Sequence, residues 1–440
     1  MLNRRSLLKC VGGAALTAQC YPKGVFARSL FESQSRPFPE LLSGYHRIKD
    51  AKDFMIGYPI NMVTPSSDFF TWRRELFEAG IDQFAFNNVG SPYKHSHIPF
   101  NSHSLEKELI RRFAKIYGFK QEAHWGFLSN SGTDSNMQGL YMGRTILESK
   151  AGVLPKLYYT KEAHYSIQIL KDLLGFEGVV VDTLKGGSMD TKHLEELVGY
   201  HSNNPVLVVA TIGTTFKGAV DSVDQIQKVL RGRVSYLHLD AALFGGYLPH
   251  TKFSDDLAVE STDGSGGRKR RYDSLAVSCH KFFGFPSPAG LFITTKDNFE
   301  CFHKRFSEVH DPEYLLQVPG TISCSRDGVK PSEFYFFSSQ DAFAKQAIDA
   351  ADMLDNCSYL LKEMNSHLAE SRPVRADDRS NTVYFRRPNK AIVQKYSLAT
   401  MTLDEGGRKV PYAHVVVMPH VTKPIIDRFL SDLAMFDLRD

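Results

Sequence analysis

Between residues 124 and 239 the chain alternates short apolar runs with helical stretches, and this alternation constrains the fold more than any other feature. β-Branched or aromatic runs fall at 124–129, 157–160, 178–183, 206–211 and 234–239, and helical patterns follow at about 134–149, 164–174, 190–199 and 222–230. The runs are near-continuously apolar rather than alternating, as strands buried on both faces require. Such strands interleaved with helices predict an α/β fold, a mostly parallel sheet covered by helices. Sheets of this class bind ligands at the carboxyl ends of their strands. Two further runs, 274–278 and 290–294, add a sheet hairpin or neighbouring strands.

The flanks read differently. Residues 28–66 are irregular and polar, and Ser67 to Ala79 forms a helix stopped by Gly80. Leu105, Leu109, Ile110, Phe113, Ile116 and Tyr117 give residues 104–117 an apolar helical face. From about 328 the pattern changes to a long helix (331–370), strands at 382–386 and 412–418, and a helix at 423–435. The expected organisation is therefore an N-terminal segment over 28–103, a large domain over 104–327 and a small C-terminal α+β domain over 328–440. Residues 261–271, with four consecutive basic residues from Arg268 to Arg271, are expected to form a flexible, solvated insertion.

With 42% hydrophobic and 23% charged residues, the composition excludes a disordered tail, a collagen-like repeat and a long coiled coil. No apolar run reaches the roughly 20 residues that span a bilayer. The formal net charge of +4 equals the contribution of Arg4, Arg5, Lys9 and Lys23, which lie in a segment, 1–27, without a single acid. A chain cut after Ala27 is thus neutral, and charge gives no indication of nucleic-acid binding. Asn3-Arg4-Arg5-Ser6-Leu7-Leu8-Lys9 followed by the weakly apolar Val11 to Ala18 has the layout of a twin-arginine export signal. We expect residues 1–27 to be that signal and the protein to be exported to the periplasm; the alternative is a basic N-terminus on a cytoplasmic protein. Leu16-Thr17-Ala18-Gln19-Cys20 departs from a lipoprotein box at the bulky Gln19. Beyond this leader, Cys279, Cys301, Cys324 and Cys357 show neither C-x-x-C pairs nor metal-ligand spacing, so no metal site is expected.

The chemistry-bearing residues all fall just beyond predicted strands. Ser278-Cys279-His280-Lys281 follows an apolar run, and a lysine desolvated there has a lowered pKa suited to Schiff-base formation with an aldehyde. Asp240 ends a strand expected to be fully buried, where a carboxylate needs a cationic partner: a pyridinium nitrogen, or a nearby Arg or Lys. Ala242 beside it leaves room for a flat ring. Ser131-Gly132-Thr133 opens a helix and presents free N–H groups and hydroxyls to a phosphate, although such residues also serve as ordinary N-caps. His164 follows another strand, where it could stack on a ring, and Thr211 to Thr215 adds hydroxyls. Taken in order, phosphate cup, histidine, threonine, aspartate and lysine describe a pyridoxal 5'-phosphate site.

These segments resemble the group II pyridoxal-phosphate decarboxylases, and among them the branch of histidine and serine decarboxylases. The resemblance runs from Gly57-Tyr58-Pro59 to the C-terminus. It includes Trp125-Gly126-Phe127, Ser131-Gly132-Thr133, Ala163-His164-Tyr165-Ser166, Ile212-Gly213-Thr214-Thr215, Asp240-Ala241-Ala242-Leu243, His280-Lys281, Ser325-Arg326 and His414-Val415-Val416-Val417-Met418-Pro419. It implies a fold-type-I enzyme in which Lys281 carries the cofactor, Asp240 keeps its ring nitrogen protonated and His164 stacks on the ring and positions the substrate carboxylate. It further implies that Ser131, Gly132, Thr133, Ser278 and His280 hold the phosphate, that Thr214 and Ala242 flank the cofactor, and that Tyr314 is a catalytic tyrosine on a mobile loop. A homodimer, with 28–103 packing at its interface and on the large domain, is also implied.

The implied reaction removes the α-carboxylate of an L-amino acid as CO2, with L-histidine giving histamine as the leading case and L-serine giving ethanolamine as the alternative. Transamination or carbon–sulfur cleavage on the same fold would be a different chemistry for the same cofactor. An exported cofactor-binding protein with lost or altered catalysis is the non-enzymatic possibility. The sequence departs from the family at Val318-Pro319-Gly320, where His-Asp is usual, at Cys324 in place of glycine, and at Asp134 in place of glutamate.

Overall fold

The computed structural model describes residues 38–262 and 267–435. The expected export signal lies outside the described residues. Helix α1 (Phe38–Asp50) belongs to one unit, Met1–Lys52, and the rest of the chain forms a second, Asp53–Asp440. Helix α1 corrects the irregular reading of 28–66: Leu42, Tyr45 and Ile48 recur at three-residue spacing, a pattern diluted by Gly44 and the surrounding polar residues.

Within the second unit, helices α2 (Ser67–Glu78) and α3 (His103–Ile116) precede strand β1 (His124–Ser129). Helix α4 (Gly132–Ala151), β2 (Lys156–Thr160), α5 (Tyr165–Leu173), β3 (Gly178–Val181), α6 (Thr191–Tyr200), β4 (Val206–Thr211), α7 (Val223–Val229) and β5 (Ser235–Asp240) then alternate. A short antiparallel hairpin, β6 (Glu260–Thr262) and β7 (Arg268–Arg270), leads to β8 (Ser274–Ser278), β9 (Gly290–Thr295) and helix α8 (Lys296–Ser307). Seven strands form one sheet in the order β1-β9-β8-β5-β4-β2-β3, in which β9 alone runs against its neighbours. Every residue of β1, β2, β4 and β8 is buried, as their unbroken apolar character requires. Part of the expected insertion forms the exposed hairpin β6–β7, in which Arg268 pairs with Glu260, and just beyond it Arg271 pairs with Asp224; residues 263–266 lie outside the described residues.

The predicted helix over 331–370 is two helices, α9 (Val329–Phe334) and α10 (Gln340–His367). A 3-10 turn, Tyr335–Ser338, separates them, and Ser339 caps α10 by accepting the Ala342 N–H on its hydroxyl at 3.1 Å. Strands β10 (Thr382–Arg386), β11 (Ala399–Glu405) and β12 (Arg408–Val416) form a second sheet in the order β10-β12-β11, with α11 (Lys390–Lys395) between β10 and β11 and α12 (Lys423–Met435) at the end. Strand β11 escaped the sequence reading because it is an edge strand with few buried residues, so its side chains lack a strong alternation. No helix among the described residues is long and apolar enough to cross a membrane.

Parallel pairing aligns the strand ends that matter. Thr211 on β4 pairs with Asp240 on β5, which pairs in turn with Ala276 on β8. Gly290 pairs with both Ser129 and Ser278, so the ends of β1 and β8 are level. Glycines seat α4 against this sheet: a Cβ at Gly143 would lie 2.8 Å from Leu207 and Tyr236, and one at Gly139 would lie 2.4 Å from the His238 ring.

A buried ion pair ties the 320s to this framework. Arg326 and Glu106 are both shielded from water, with Arg326 Nη2 3.1 Å from Glu106 Oε2. Glu106 also accepts the Leu128 N–H at 2.9 Å and the Asn88 amide at 2.9 Å. Replacing Arg326 by leucine leaves Glu106 as an uncompensated buried charge, at a cost of about 3–5 kcal/mol. Urea denaturation of Arg326→Leu should register a loss of that order, and Glu106→Gln in the same background should restore part of it. A single-variant loss below about 1 kcal/mol would mean the pair contributes little beyond a surface ion pair.

Candidate active site

At the carboxyl ends of β1, β2, β4, β5 and β8 lies a cavity of about 140 Å³. Ser131, Gly132 and Thr133 line one side, and His164, Asp240 and Ala242 another. Ser278, His280 and Lys281 close it. A larger cleft of about 500 Å³ lies beside Phe69, Phe282 and Phe337, but no histidine lines it and its carboxylates come from Asp68, Asp341 and Asp349.

Each functional side chain is placed by a local feature. Helix α4 begins at Gly132, capped by the Ser131 hydroxyl, which accepts the Asp134 N–H at 3.2 Å. The first N–H groups of a helix have no intrahelical acceptor and face outward as anion donors. Gly132 approaches β8 so closely that a Cβ there would lie 2.4 Å from Ser278 Oγ and 3.5 Å from Ala242 Cβ, a cradle open only to glycine. His164 caps α5: its Nδ1 accepts the Ser166 N–H at 3.3 Å, which leaves the proton of the neutral ring on Nε2. Loss of hydration, reinforced by Lys281 and opposed by Asp240, lowers the His164 pKa and favours that neutral form.

Asp240 is buried at the end of β5 and accepts two hydrogen bonds, from Asn136 Nδ2 at 3.0 Å and from the Ala242 N–H at 3.2 Å. Among the described residues no Arg, Lys or His lies within the 4.0 Å ion-pair distance of it. The ordinary reading of such an aspartate, a salt bridge to a neighbouring Arg or Lys, therefore does not apply. A buried carboxylate without a cation is costly, and a protonated ring nitrogen fits this vacancy in the charge balance. Desolvation lowers the Lys281 pKa, with Asp240 offsetting part of the shift, so its amine is more readily available as a nucleophile. Pyridoxal phosphate therefore fits the residues present: an amine for its aldehyde, an anion for its ring nitrogen and a helix N-terminus for its phosphate.

Two expected site residues are not among those that line the cavity. Thr214 is buried, and its hydroxyl accepts the Ala219 N–H at 2.9 Å, so it braces its turn while Thr211, Gly213 and Thr215 line the cavity. Tyr314 stands 82% exposed on a 3-10 turn, Glu313–Leu315, and is not among the cavity residues of this single chain. The sequence reading did not assign a role to Asn136 or Pro59, which also line the site. Asn136 was accessible to it, since four residues separate it from Gly132 and helical periodicity puts both on one face. Pro59 had no such signal; the Asn61 N–H donating to the Lys281 carbonyl at 3.3 Å brings its segment there.

Comparison with known proteins gives a consistent set of relatives. Residues 110–323 match the family described as the pyridoxal-dependent decarboxylase conserved domain. The chain is 29% identical to a histidine decarboxylase of Solanum lycopersicum over 88% of this chain and 86% of the relative. It is 30% identical to a histidine decarboxylase of Morganella morganii, covering 88% and 93% of the two chains. With serine decarboxylase 1 of Oryza sativa subsp. japonica the identity is 31%, over 80% of this chain and 68% of the relative. In structure it resembles L-methionine decarboxylase from Streptomyces sp. 590, with a TM-score of 0.77 at 20% identity over 90% and 94% of the two chains.

Behind Asp240, the buried His238 has its pKa lowered to about 4 by desolvation, from 6.5. Between those values the unfolded chain binds a proton that the folded chain does not, so stability is full above about 6.5 and falls as pH drops towards 4. The loss amounts to roughly 3 kcal/mol at about 1.4 kcal/mol per pKa unit. Denaturation of the wild type and His238→Gln across this range should show a shallower acid slope in the variant; equal slopes would place the titrating group elsewhere.

Proposed function

Because this chain belongs to the pyridoxal-dependent decarboxylase family and is a pyridoxal-phosphate-dependent amino-acid carboxy-lyase, we propose that it decarboxylates L-histidine to histamine. The observation that carries this reading is the near full-length match to histidine decarboxylases, which extends over 88% of this chain and 93% of the Morganella morganii enzyme. The 31% identity to a rice serine decarboxylase favours L-serine, giving ethanolamine, as the second reading.

When bound, the cofactor supplies a protonated pyridine ring that accepts the electron pair left behind when the carboxylate departs as CO2. The chain's own residues do the rest. Lys281 offers the amine that holds the cofactor aldehyde, and its lowered pKa supports that role. Asp240 would hold the proton on the ring nitrogen, a role supported by its burial with no ion-pair partner among the described residues. His164, neutral with its proton on Nε2, directs a donor to the substrate carboxylate and covers the ring face. Ser131, Gly132, Thr133, Ser278 and His280 bind the phosphate through N–H, hydroxyl and imidazole donors. Tyr314 is proposed to act in the closed site of the assembled enzyme, and its exposure in the single chain is compatible with that.

We also propose a homodimer. Phe70, Phe77, Phe84 and Phe100 are each 46–60% exposed, and this concentration of aromatic surface in the segment ahead of the large sheet supports a partner's covering it. Export through the Arg4-Arg5 signal is proposed from sequence alone; replacing both by lysine should retain the protein in the cytoplasm, and continued export would overturn it.

The substrate is tested by CO2 release from a panel of L-amino acids by the protein lacking residues 1–27, with Lys281→Ala as control. Release from histidine, lost in the control, is the expected result. Release from serine alone would establish the second reading, and release from neither would move the substrate outside both.

A further inference from the structure

The carboxylate of Asp240 has a second tier of polar side chains behind it. Asn136 turns its Nδ2 to Asp240, and its Oδ1 faces His238 Nε2 at 2.9 Å. His238 Nδ1 in turn faces Ser274 Oγ at 2.7 Å. His238 and Ser274 are 0% exposed and Asn136 2%. Only one placement of protons satisfies this string. An amide whose NH2 points at a carboxylate offers just its oxygen to the imidazole, so Nε2 must carry the proton of the neutral ring. Nδ1 is then a lone pair, and the Ser274 hydroxyl must donate to it.

The fold makes room for this ring at a specific cost. A Cβ at Gly139, three residues beyond Asn136 on α4, would lie 2.4 Å from both Cε1 and Nδ1 of His238. An aliphatic side chain on β5 would pack the same space without any need for satisfied partners, whereas a buried polar string is favourable only when every member is satisfied. The string leads to Asp240, and among the described residues that carboxylate accepts, apart from Asn136, the Ala242 N–H alone.

We propose that Asn136, His238 and Ser274 form a relay of positioning residues that locks the donor side of the Asn136 amide onto Asp240 and so keeps Asp240 an oriented anion for the cofactor's ring nitrogen. The inference rests on the reading of Asp240 as the partner of that nitrogen. Without His238 the amide can turn its oxygen to the carboxylate. That contact disfavours the anion, and a protonated Asp240 cannot hold a ring proton. The other titratable groups facing Asp240 are Lys281 beyond β8 and His164 ahead of α5, together with His238 on its own strand.

The test compares holoenzymes by the rate at which pyridoxal phosphate is lost on dilution, read from its visible absorbance, and by the pH at which that absorbance changes. His238→Phe should release the cofactor about tenfold faster, the equivalent of one net hydrogen bond, and its spectral transition should move to higher pH. His238→Gln, which can still donate to Asn136 Oδ1, should stay close to wild type, and Ser274→Ala should fall between the two. Release from His238→Phe at the wild-type rate overturns the relay, as does His238→Gln behaving like His238→Phe, since that would make the site a matter of packing. Should His238→Phe not fold, the Ser274→Ala result decides, and an unchanged rate and transition there overturn the proposal. Asp240→Asn separates the underlying reading: if it retains the cofactor normally, Asp240 is not the ring partner, whereas loss there with an unaffected His238→Phe rejects the relay alone.

Discussion

The constraint on which this structure turns is a carboxylate, Asp240, held out of water at the end of a central strand with, among the described residues, no cation in ion-pair contact. An isolated charge in that position would normally shift its pKa or recruit an arginine. Among the described residues no arginine is placed against it; an amide, a backbone N–H and an open cavity are directed at it instead. The surrounding arrangement follows from this choice. Lys281 and His164 stand near enough for Asp240 to raise the pKa of each, while burial holds both below their ordinary values. The site is thus polarised toward neutral bases around one fixed anion, an arrangement suited to accepting a cationic ring and retaining it.

Placing these groups depends on how closely α4 approaches the sheet. Gly132, Gly139 and Gly143 occur along one helix, and at each an added Cβ would overlap a side chain of β4, β5 or β8. Each glycine costs helix stability of the order of 1 kcal/mol relative to alanine. The return is positional: the helix N-terminus reaches the level of Ser278, and Asn136 reaches Asp240. The same surface therefore carries the packing, the anion-binding N–H groups and the support for the carboxylate.

This accounts for what could be read from the sequence. Strands β1, β2, β4, β5 and β8 were legible because burial on both faces leaves a near-continuous apolar run, and strand-end residues such as Asp240 and Lys281 stand out against such runs. Strand β11 and hairpin β6–β7 were not legible, since exposed strands carry little hydrophobic pattern, even though β11 and β6 each pair with the next strand in the chain. The division of 331–370 into α9 and α10 turned on the Ser339 cap within an aromatic run that packs in tertiary contacts, with Phe334 stacked on Phe337 at 5.5 Å. In the site, residues with direct chemistry were visible, but His238 and Ser274 were not: within a buried strand each looks like an ordinary core substitution, and only the cross-strand register brings them together with Asn136.

The segments in which the sequence is expected to depart from the family pattern are joined to one another by hydrogen bonds. Gly320 adopts φ +75°, and a Cβ there would lie 2.8 Å from the Phe299 ring, so a larger residue would require the turn to move. That turn is fastened to α4 by Gln138, which donates to the Gly320 carbonyl at 3.1 Å and accepts the Ile322 N–H at 2.9 Å. At the next residue, Ser323 donates to Asp134 Oδ1 at 3.0 Å, while Asp134 Oδ2 accepts the Asn130 N–H at 3.0 Å. Asp134 thus joins the phosphate-side turn to the departing loop with both of its oxygens, and the buried Arg326–Glu106 pair anchors the loop's far end. Three hydrogen bonds thus fasten this loop to α4, the helix that carries the site, and the Arg326–Glu106 pair fastens it to α3. The positions expected to depart from the family, Asp134 and Val318-Pro319-Gly320, therefore lie on two segments joined through Ser323 and Gln138, and neither segment's departing residues line the cavity that holds Lys281, Asp240 and His164.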